Sequence, residues 1–195
     1  MFKTQKLKNK TPREAVLYIT INLPEETKTN QTALKKLLFE TQGEAVELQN
    51  TKNIVAAMRL LALIHKTSPE LVYRMENGEQ ILIFDHNFTP VIRSKNINTN
   101  FVISDKKPDK NKLEKHQTID VEKIWKSTDG SEFLDHLEKA WKELKKEIYP
   151  AEKITLQGIA PTVLFLLAEH GLWGISKEIW YQQSISSKPI LIRLN

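Results

Sequence analysis

The chain has 195 residues, with 29 Lys and Arg against 24 Asp and Glu, a net charge of +5 and no cysteine. That length suffices for one large domain or two small ones with a proper core, and the lack of cysteine excludes a disulfide framework, a thiolate metal site and a cysteine nucleophile. With 40% hydrophobic and 27% charged residues, the composition is that of a folded globular chain, and its positive charge favours anionic partners such as nucleotides or nucleic acid, alongside its plainer role in solubility.

Residues 1–10 are basic but lack the apolar core of a signal peptide, and no apolar run is long enough to span a bilayer. A cytoplasmic protein with no membrane partner is therefore expected. Residues 14–23, EAVLYITINL, are rich in β-branched and aromatic side chains and stop at Pro24, which predicts the first strand. After Asn30, a candidate N-cap, Leu34, Leu37 and Leu38 recur at helical spacing, and the helix should weaken near Gly43. Residues 51–66 carry apolar side chains around a helical wheel before Ser68-Pro69, which predicts a core helix. Two β-rich runs, 71–76 and 79–85, flank Asn77-Gly78, the dipeptide that suits a two-residue hairpin turn.

Residues 94–117 are dominated by Lys, Asn and Asp and read as a long mobile loop, with a brief strand available only at 101–103. In residues 131–148, Phe133, Leu134, Leu137, Trp141, Leu144 and Ile148 make one apolar stripe opposite Lys139, Lys142, Lys145 and Lys146, the pattern of an amphipathic surface helix. KITLQ at 153–157 predicts a strand, Gly158-Ile159-Ala160-Pro161 a turn, and the apolar run to about Glu169 a buried helix. Strands at 178–182 and 189–194 follow. No repeat of fixed period is visible.

The sharpest feature is the turn Gln157-Gly158-Ile159-Ala160-Pro161 with Thr162 behind it. A glycine there lets backbone come close to a ligand, and the N–H groups of Thr162 and Val163 at the helix start attract phosphate. Ordinary turn chemistry accounts for the same residues. His170 at the helix end suits a proton shuttle near neutral pH, or simply the helix macrodipole. Trp173, Trp180 and Tyr181 gather three aromatics that either stack on bases or pack a core. The lysine of a P-loop and the three glycines of a dinucleotide fingerprint are missing, and the other histidines, His65, His86, His116 and His136, have no paired metal-ligand spacing. No cofactor and no metal are expected.

The stretch ITLQGIAPTVLFLLAEHGLWGISKEIWYQQSISSKPILI resembles the closing unit of small accessory proteins of type III CRISPR systems, the ring nucleases and the CARF and SAVED sensors of cyclic oligoadenylate. The likeness covers residues 153–192, about a fifth of the chain. It implies a ligand grip at Gly158 and Pro161, His170 as the helix-end histidine that assists cleavage, and Tyr181 as the aromatic of the next strand; Trp173 and Gln182 are further candidates for ligand contact. Where the ring nucleases carry an Asp-Pro-Arg-like segment, this chain has Gln182-Gln183-Ser184, which implies binding with cleavage weakened.

The expectation is thus an α+β fold with a mixed sheet, a hairpin, and helices on at least one face. Strands 14–23, 153–157 and 178–182 would form its centre. Residues 1–93 and 119–195 would make one body around the loop at 94–118. Such a protein would bind a cyclic oligoadenylate as a homodimer, since the ligand is itself symmetric. The alternatives are a nucleic-acid-binding or scaffolding subunit, with RNA met by the lysine-rich loop 106–115 and the 131–148 helix, and a protein–protein regulator.

Overall fold

The computed structural model describes residues 4–8, 17–23, 36–37, 39–49, 51–86 and 114–194. The chain divides into two compact units, Met1–Thr99 and Asn100–Asn195. Each is α+β with its own mixed sheet.

The first unit has a five-stranded sheet in sequential order: β1 (Thr4–Lys8), β2 (Leu17–Ile21), β3 (Ala45–Gln49), β4 (Glu70–Arg74) and β5 (Gln80–Asp85). Strands β2, β3 and β4 run parallel, while β1 and β5 are antiparallel to their neighbours. Helix α1 (Ile54–Ile64) crosses from β3 to β4, and its start is fixed by the Asn53 side chain, which accepts from Ala56 N–H at 3.0 Å. Ala56, Ala57, Met58, Leu60, Leu61 and Ile64 of α1 are buried. The β4–β5 hairpin forms as expected, but its turn is not the two-residue one: Gly78 N–H donates to the Met75 carbonyl at 3.0 Å around Glu76-Asn77, Met75 N–H donates to the Glu79 carbonyl at 2.8 Å, and Gly78 follows at φ +85°.

The expected core helix is present at Ile54–Ile64, but β3 just before it was not foreseen. Its sequence AVELQ carries a glutamate at its centre, which reads as surface. Glu47 is nevertheless 1% exposed, because its carboxylate accepts from Thr20 Oγ1 at 3.3 Å and from Gln80, and pairs with Arg74 at 2.7 Å. A carboxylate so surrounded by donors can sit in a sheet interior.

The second unit has a four-stranded sheet: β6 (Glu114–Asp120), β7 (Ala151–Gln157), β8 (Ser176–Gln182) and β9 (Ile190–Leu194). Strands β6, β7 and β8 are parallel and β9 returns antiparallel. Between β6 and β7 lie α2 (Val121–Ser127) and α3 (Phe133–Glu147); between β7 and β8 lies α4 (Thr162–Gly171). Crossovers that step the same way across a sheet put their helices on one face, and Gln117 of β6 donates to the Glu147 carbonyl of α3 from that face. Helix α4 is buried on every side from Thr162 to Glu169, which is why its sequence is apolar all round. Helix α3 is the foreseen amphipathic helix, with Leu137, Ala140, Trp141 and Leu144 buried.

Two expectations are corrected here. The strand at 17–21 does not share a sheet with 151–157 and 176–182; the three lie in two sheets. Residues 114–117, read as the end of a loop, begin β6. In that strand only Gln117 and Ile119 are buried, one of them polar, while every other position faces outward, so the alternation of a half-covered strand is nearly hidden. The brief strand anticipated at 101–103 and the loop at 106–113 lie outside the described residues, as do Leu34 and Leu38.

With β1 set aside, the two units share one plan: three parallel strands, a buried helix crossing from the second to the third (α1 and α4), and an antiparallel fourth. The repeat extends to residues. Leu48 and Gln49 end β3 opposite Tyr73 and Arg74; Leu156 and Gln157 end β7 opposite Tyr181 and Gln182. The register slips between Leu71 and Val72 on β4 and between Ile179 and Trp180 on β8, and the same offset along the chain relates all of these pairs. The last strands both read Ile-Leu-Ile, at 81–83 and 190–192. Because few other identities survive, the duplication shows in the hydrogen-bond register and not in the sequence.

Within the second unit one buried pair stands out. Glu169 on α4 is fully buried, and its carboxylate lies 3.9 Å from the Arg193 guanidinium of β9, beyond hydrogen-bonding distance. Arg193 in turn lies over the Trp173 ring at 4.1 Å. Burial pushes the Glu169 carboxyl well above its ordinary value of 4.5, and Arg193 only partly offsets this. Ionisation is thus easier in the unfolded chain. The stability contributed by the neutral carboxyl is present below pH 4.5 and lost as pH rises through the raised folded value. Thermal melts of wild type and Glu169→Gln from pH 5 to pH 8 should show the wild type losing ground to the variant as pH increases; a constant difference would contradict the assignment.

Candidate functional site

The parallel strands of the second unit end together. Asp120, Gln157 and Gln182 stand side by side in register at the carboxyl ends of β6, β7 and β8. In open sheets with parallel strands, this is the edge at which ligands bind. A pocket of about 840 Å³ lies just beyond it. Its walls come from three segments: α2 with its N-cap Asp120, the turn from Gln157 at the end of β7 to Ile159, and Gln183 to Ser186 after β8.

The turn after β7 is held by three hydrogen bonds, two to β8 and one to α2. Gly158 N–H donates to the Gln182 carbonyl at 2.9 Å, and the Gly158 carbonyl accepts from the Tyr181 hydroxyl at 3.2 Å. Ile159 N–H donates to Glu122 at 3.0 Å. Gly158 itself sits at φ +101°, and a Cβ there would lie 2.3 Å from the Cβ of Glu122. The glycine serves a close approach, as its sequence suggested, but what it approaches is the first turn of α2.

Glu122 and Lys126, one turn apart on α2, form an ion pair. The ammonium of Lys126 and the Ile159 N–H together hold the Glu122 carboxyl below the usual carboxylate range. Asp120 is the N-cap of α2, accepting from Lys123 N–H at 2.8 Å. The Lys123 ammonium makes no ion pair with any described residue. Burial, with the Glu122 charge as a smaller cause, pushes the Tyr181 phenol up to about 12, so it remains a neutral donor. The loop after β8 is also fixed: the Gln182 amide donates to the carbonyls of Ile185 at 3.1 Å and Ser187 at 2.8 Å.

Of the residues singled out in the sequence, Gln157, Gly158 and Ile159 line the pocket. Tyr181 and Gln182 brace its walls from behind. Ala160, Pro161 and Thr162 do not line it, and Thr162 is 6% exposed. His170 and Trp173 lie at the far end of α4, a ten-residue helix about 15 Å long, and so at the opposite end of the sheet. Trp180 points to the face away from the helices, where its indole donates to Glu178 at 2.8 Å and Lys153 lies over its ring at 4.3 Å.

Sequence reasoning missed the α2 contribution. Asp120, Glu122, Lys123 and Lys126 belong to IDVEKIWKS, where Asp120 just before a short apolar-periodic run, with Glu122 in the first turn, was a legible N-cap signal. Among the described residues no cluster of three or more His, Asp or Glu side chains could hold a metal ion. Nor is any helix among the described residues long and apolar enough to cross a membrane. The histidines have local roles: His136 stacks on Trp125 with centroids 3.6 Å apart and bonds its carbonyl, and His116 bonds Thr155 at 2.9 Å.

Gly158→Ala should cost about 1–3 kcal/mol from backbone strain alone, with the collision against Glu122 added. Gly174→Ala carries a similar positive φ of +80° but meets nothing within 4 Å. Chemical denaturation should therefore show the Gly158 variant losing clearly more stability than the Gly174 variant, and equal losses would remove the α2 contact as the cause.

No protein-family model, curated protein or solved structure matches the chain.

Proposed function

We propose that the second unit binds a nucleotide of the cyclic oligoadenylate class in the pocket at the carboxyl ends of β6, β7 and β8. In this reading it serves type III CRISPR antiviral signalling and holds its ligand rather than cleaving it. The observation that carries the reading is the pocket itself, bounded by three strand ends and two braced loops. It is of a size that accepts a nucleotide fragment. Lys123 offers it an ammonium with no competing ion pair among the described residues, and the +5 net charge of the chain steers anions toward it. The likeness of residues 153–192 to cyclic oligoadenylate sensors adds the ligand class.

Holding rather than cleaving follows from the placement of the candidate acid–base groups. His170 is a helix length away from the pocket, and the Glu122 carboxylate is occupied by Lys126 and Ile159. A homodimer sharing one symmetric ligand is the natural assembly for such a messenger.

The nucleic-acid reading finds paired lysines on α3, while its other support, the lysine-rich loop 106–115, lies outside the described residues up to residue 113. Lys139, Lys142 and Lys146 pair with Asp135, Glu138 and Glu143 on the same helix, and Lys145 lies over the Trp141 ring. Such internal pairing leaves little net field for a phosphate backbone.

Thermal-shift and calorimetric titration with cyclic tetra-adenylate, cyclic hexa-adenylate, linear oligoadenylate and a single-stranded RNA test the assignment. The cyclic ligands are expected to raise the unfolding midpoint without being consumed over hours. RNA binding of comparable strength, or no response to any adenylate, would refute it.

A further inference from the structure

Two isoleucines sit where apolar side chains gain nothing unless something covers them. Ile159, in the turn after β7, is 56% exposed, and Ile185, in the loop after β8, is 84% exposed. Both line the same pocket from different loops. Their backbones are not loose: Ile159 N–H is bonded to Glu122, and the Ile185 carbonyl accepts from the Gln182 amide. The two side chains are thus presented on braced supports over a pocket whose remaining walls are polar.

The polar walls retain unused capacity. The Gln157 side-chain amide and the Lys123 ammonium have no partner among the described residues, and Asp120 uses one oxygen on its cap. Apolar surface on two loops, amide and carboxylate groups beneath, and one unpaired ammonium make a site for a flat polar ring attached to an anion. A purely aliphatic ligand would strand the amide and the lysine. A bare inorganic anion would leave both isoleucines exposed and would face Asp120 and Glu122.

We propose that Ile159 and Ile185 form a clamp for one nucleobase of the ligand, with Lys123 taking the adjacent phosphate. This rests on the nucleotide reading above and assigns the residues that set affinity and salt dependence within that site. The clamp is aliphatic, so it covers the ring faces by dispersion and apolar burial. The internal repeat sharpens the point: the turn that follows β4 in the first unit is the tight Asn77-Gly78 hairpin, whereas β8 is followed by the longer run of residues 183–189 that carries Ile185. The second copy has the longer loop, and the isoleucine lies on it.

Titration calorimetry with cyclic tetra-adenylate on wild type, Ile159→Ala, Ile185→Ala and Lys123→Ala tests the clamp. Each isoleucine variant should bind about tenfold more weakly, the order expected when one aliphatic contact to a ring is withdrawn. Their unfolding midpoints without ligand should stay at the wild-type value, since both side chains are exposed. Lys123→Ala should weaken binding and flatten its dependence on salt, whereas the isoleucine variants should leave the salt slope unchanged. Wild-type binding that survives intact in both isoleucine variants overturns the clamp and leaves the nucleotide reading in place. Wild-type protein that binds no adenylate overturns both.

Discussion

The pocket depends on one contact, the approach of Gly158 to Glu122. With any side chain at position 158 the turn after β7 would be forced off the first turn of α2, because a Cβ would occupy the space of the Glu122 Cβ. Ile159 N–H would then lose its carboxylate, Tyr181 its acceptor, and Gly158 N–H its bond to Gln182. Those three bonds join α2, β7 and β8 at their common end. A single missing methyl group is therefore the condition on which three walls of the pocket meet.

The repeated plan of the two units shows which parts of this arrangement belong to the fold and which to the site. Tyr73 in the first unit occupies the position of Tyr181, and its hydroxyl bonds the turn after β3 through both the N–H and the carbonyl of Thr51. A tyrosine on the third parallel strand that secures the turn following the second is thus a structural device used twice. The features without such a double are the candidates for function. Gln182 stands where Arg74 stands in the first unit; Arg74 is committed to the buried Glu47, whereas Gln182 props the loop that carries Ile185. Equivalent positions have been turned from internal pairing to the support of a longer loop.

Much of the fold was legible because burial and periodicity agreed. The 54–64 and 133–147 helices, the Asn77-Gly78 hairpin and the strand–turn–helix of 151–171 follow from apolar spacing and turn residues alone. Strands β3 and β6 did not, and for related reasons. Glu47 is a charge made tolerable by three partners distant in sequence, and Gln117 is a buried amide matched to a helix carbonyl; neither partner can be seen in a local window. The division into two sheets was hidden for a different reason. Strand pattern specifies which face is buried but not which strands are neighbours, so three apolar strands were readily assigned to one sheet. For the site, the turn at 157–159 was legible and the helix opposite it was not, since what Gly158 touches is set by tertiary packing.

The same geometry separates His170 from the pocket. A helix-end histidine and a glycine turn on either side of one apolar helix look adjacent in sequence, yet a buried helix of ten residues keeps them about 15 Å apart. General acid–base work needs hydrogen-bond reach to the reacting atoms, and α4 is too deeply packed to bend His170 toward the pocket. Its burial from Thr162 to Glu169 makes it a rigid spacer. At the pocket end, the groups within reach are a carboxylate held in an ion pair, the Asp120 cap, glutamine amides, the Lys123 ammonium, the hydroxyls of Ser127, Ser184 and Ser186, and two isoleucines. Asp120 keeps one carboxylate oxygen off its cap bond, so what separates this set from the helix-end histidine is distance and not a want of polar groups. The Gly158 approach to Glu122 is what holds the walls of that pocket together.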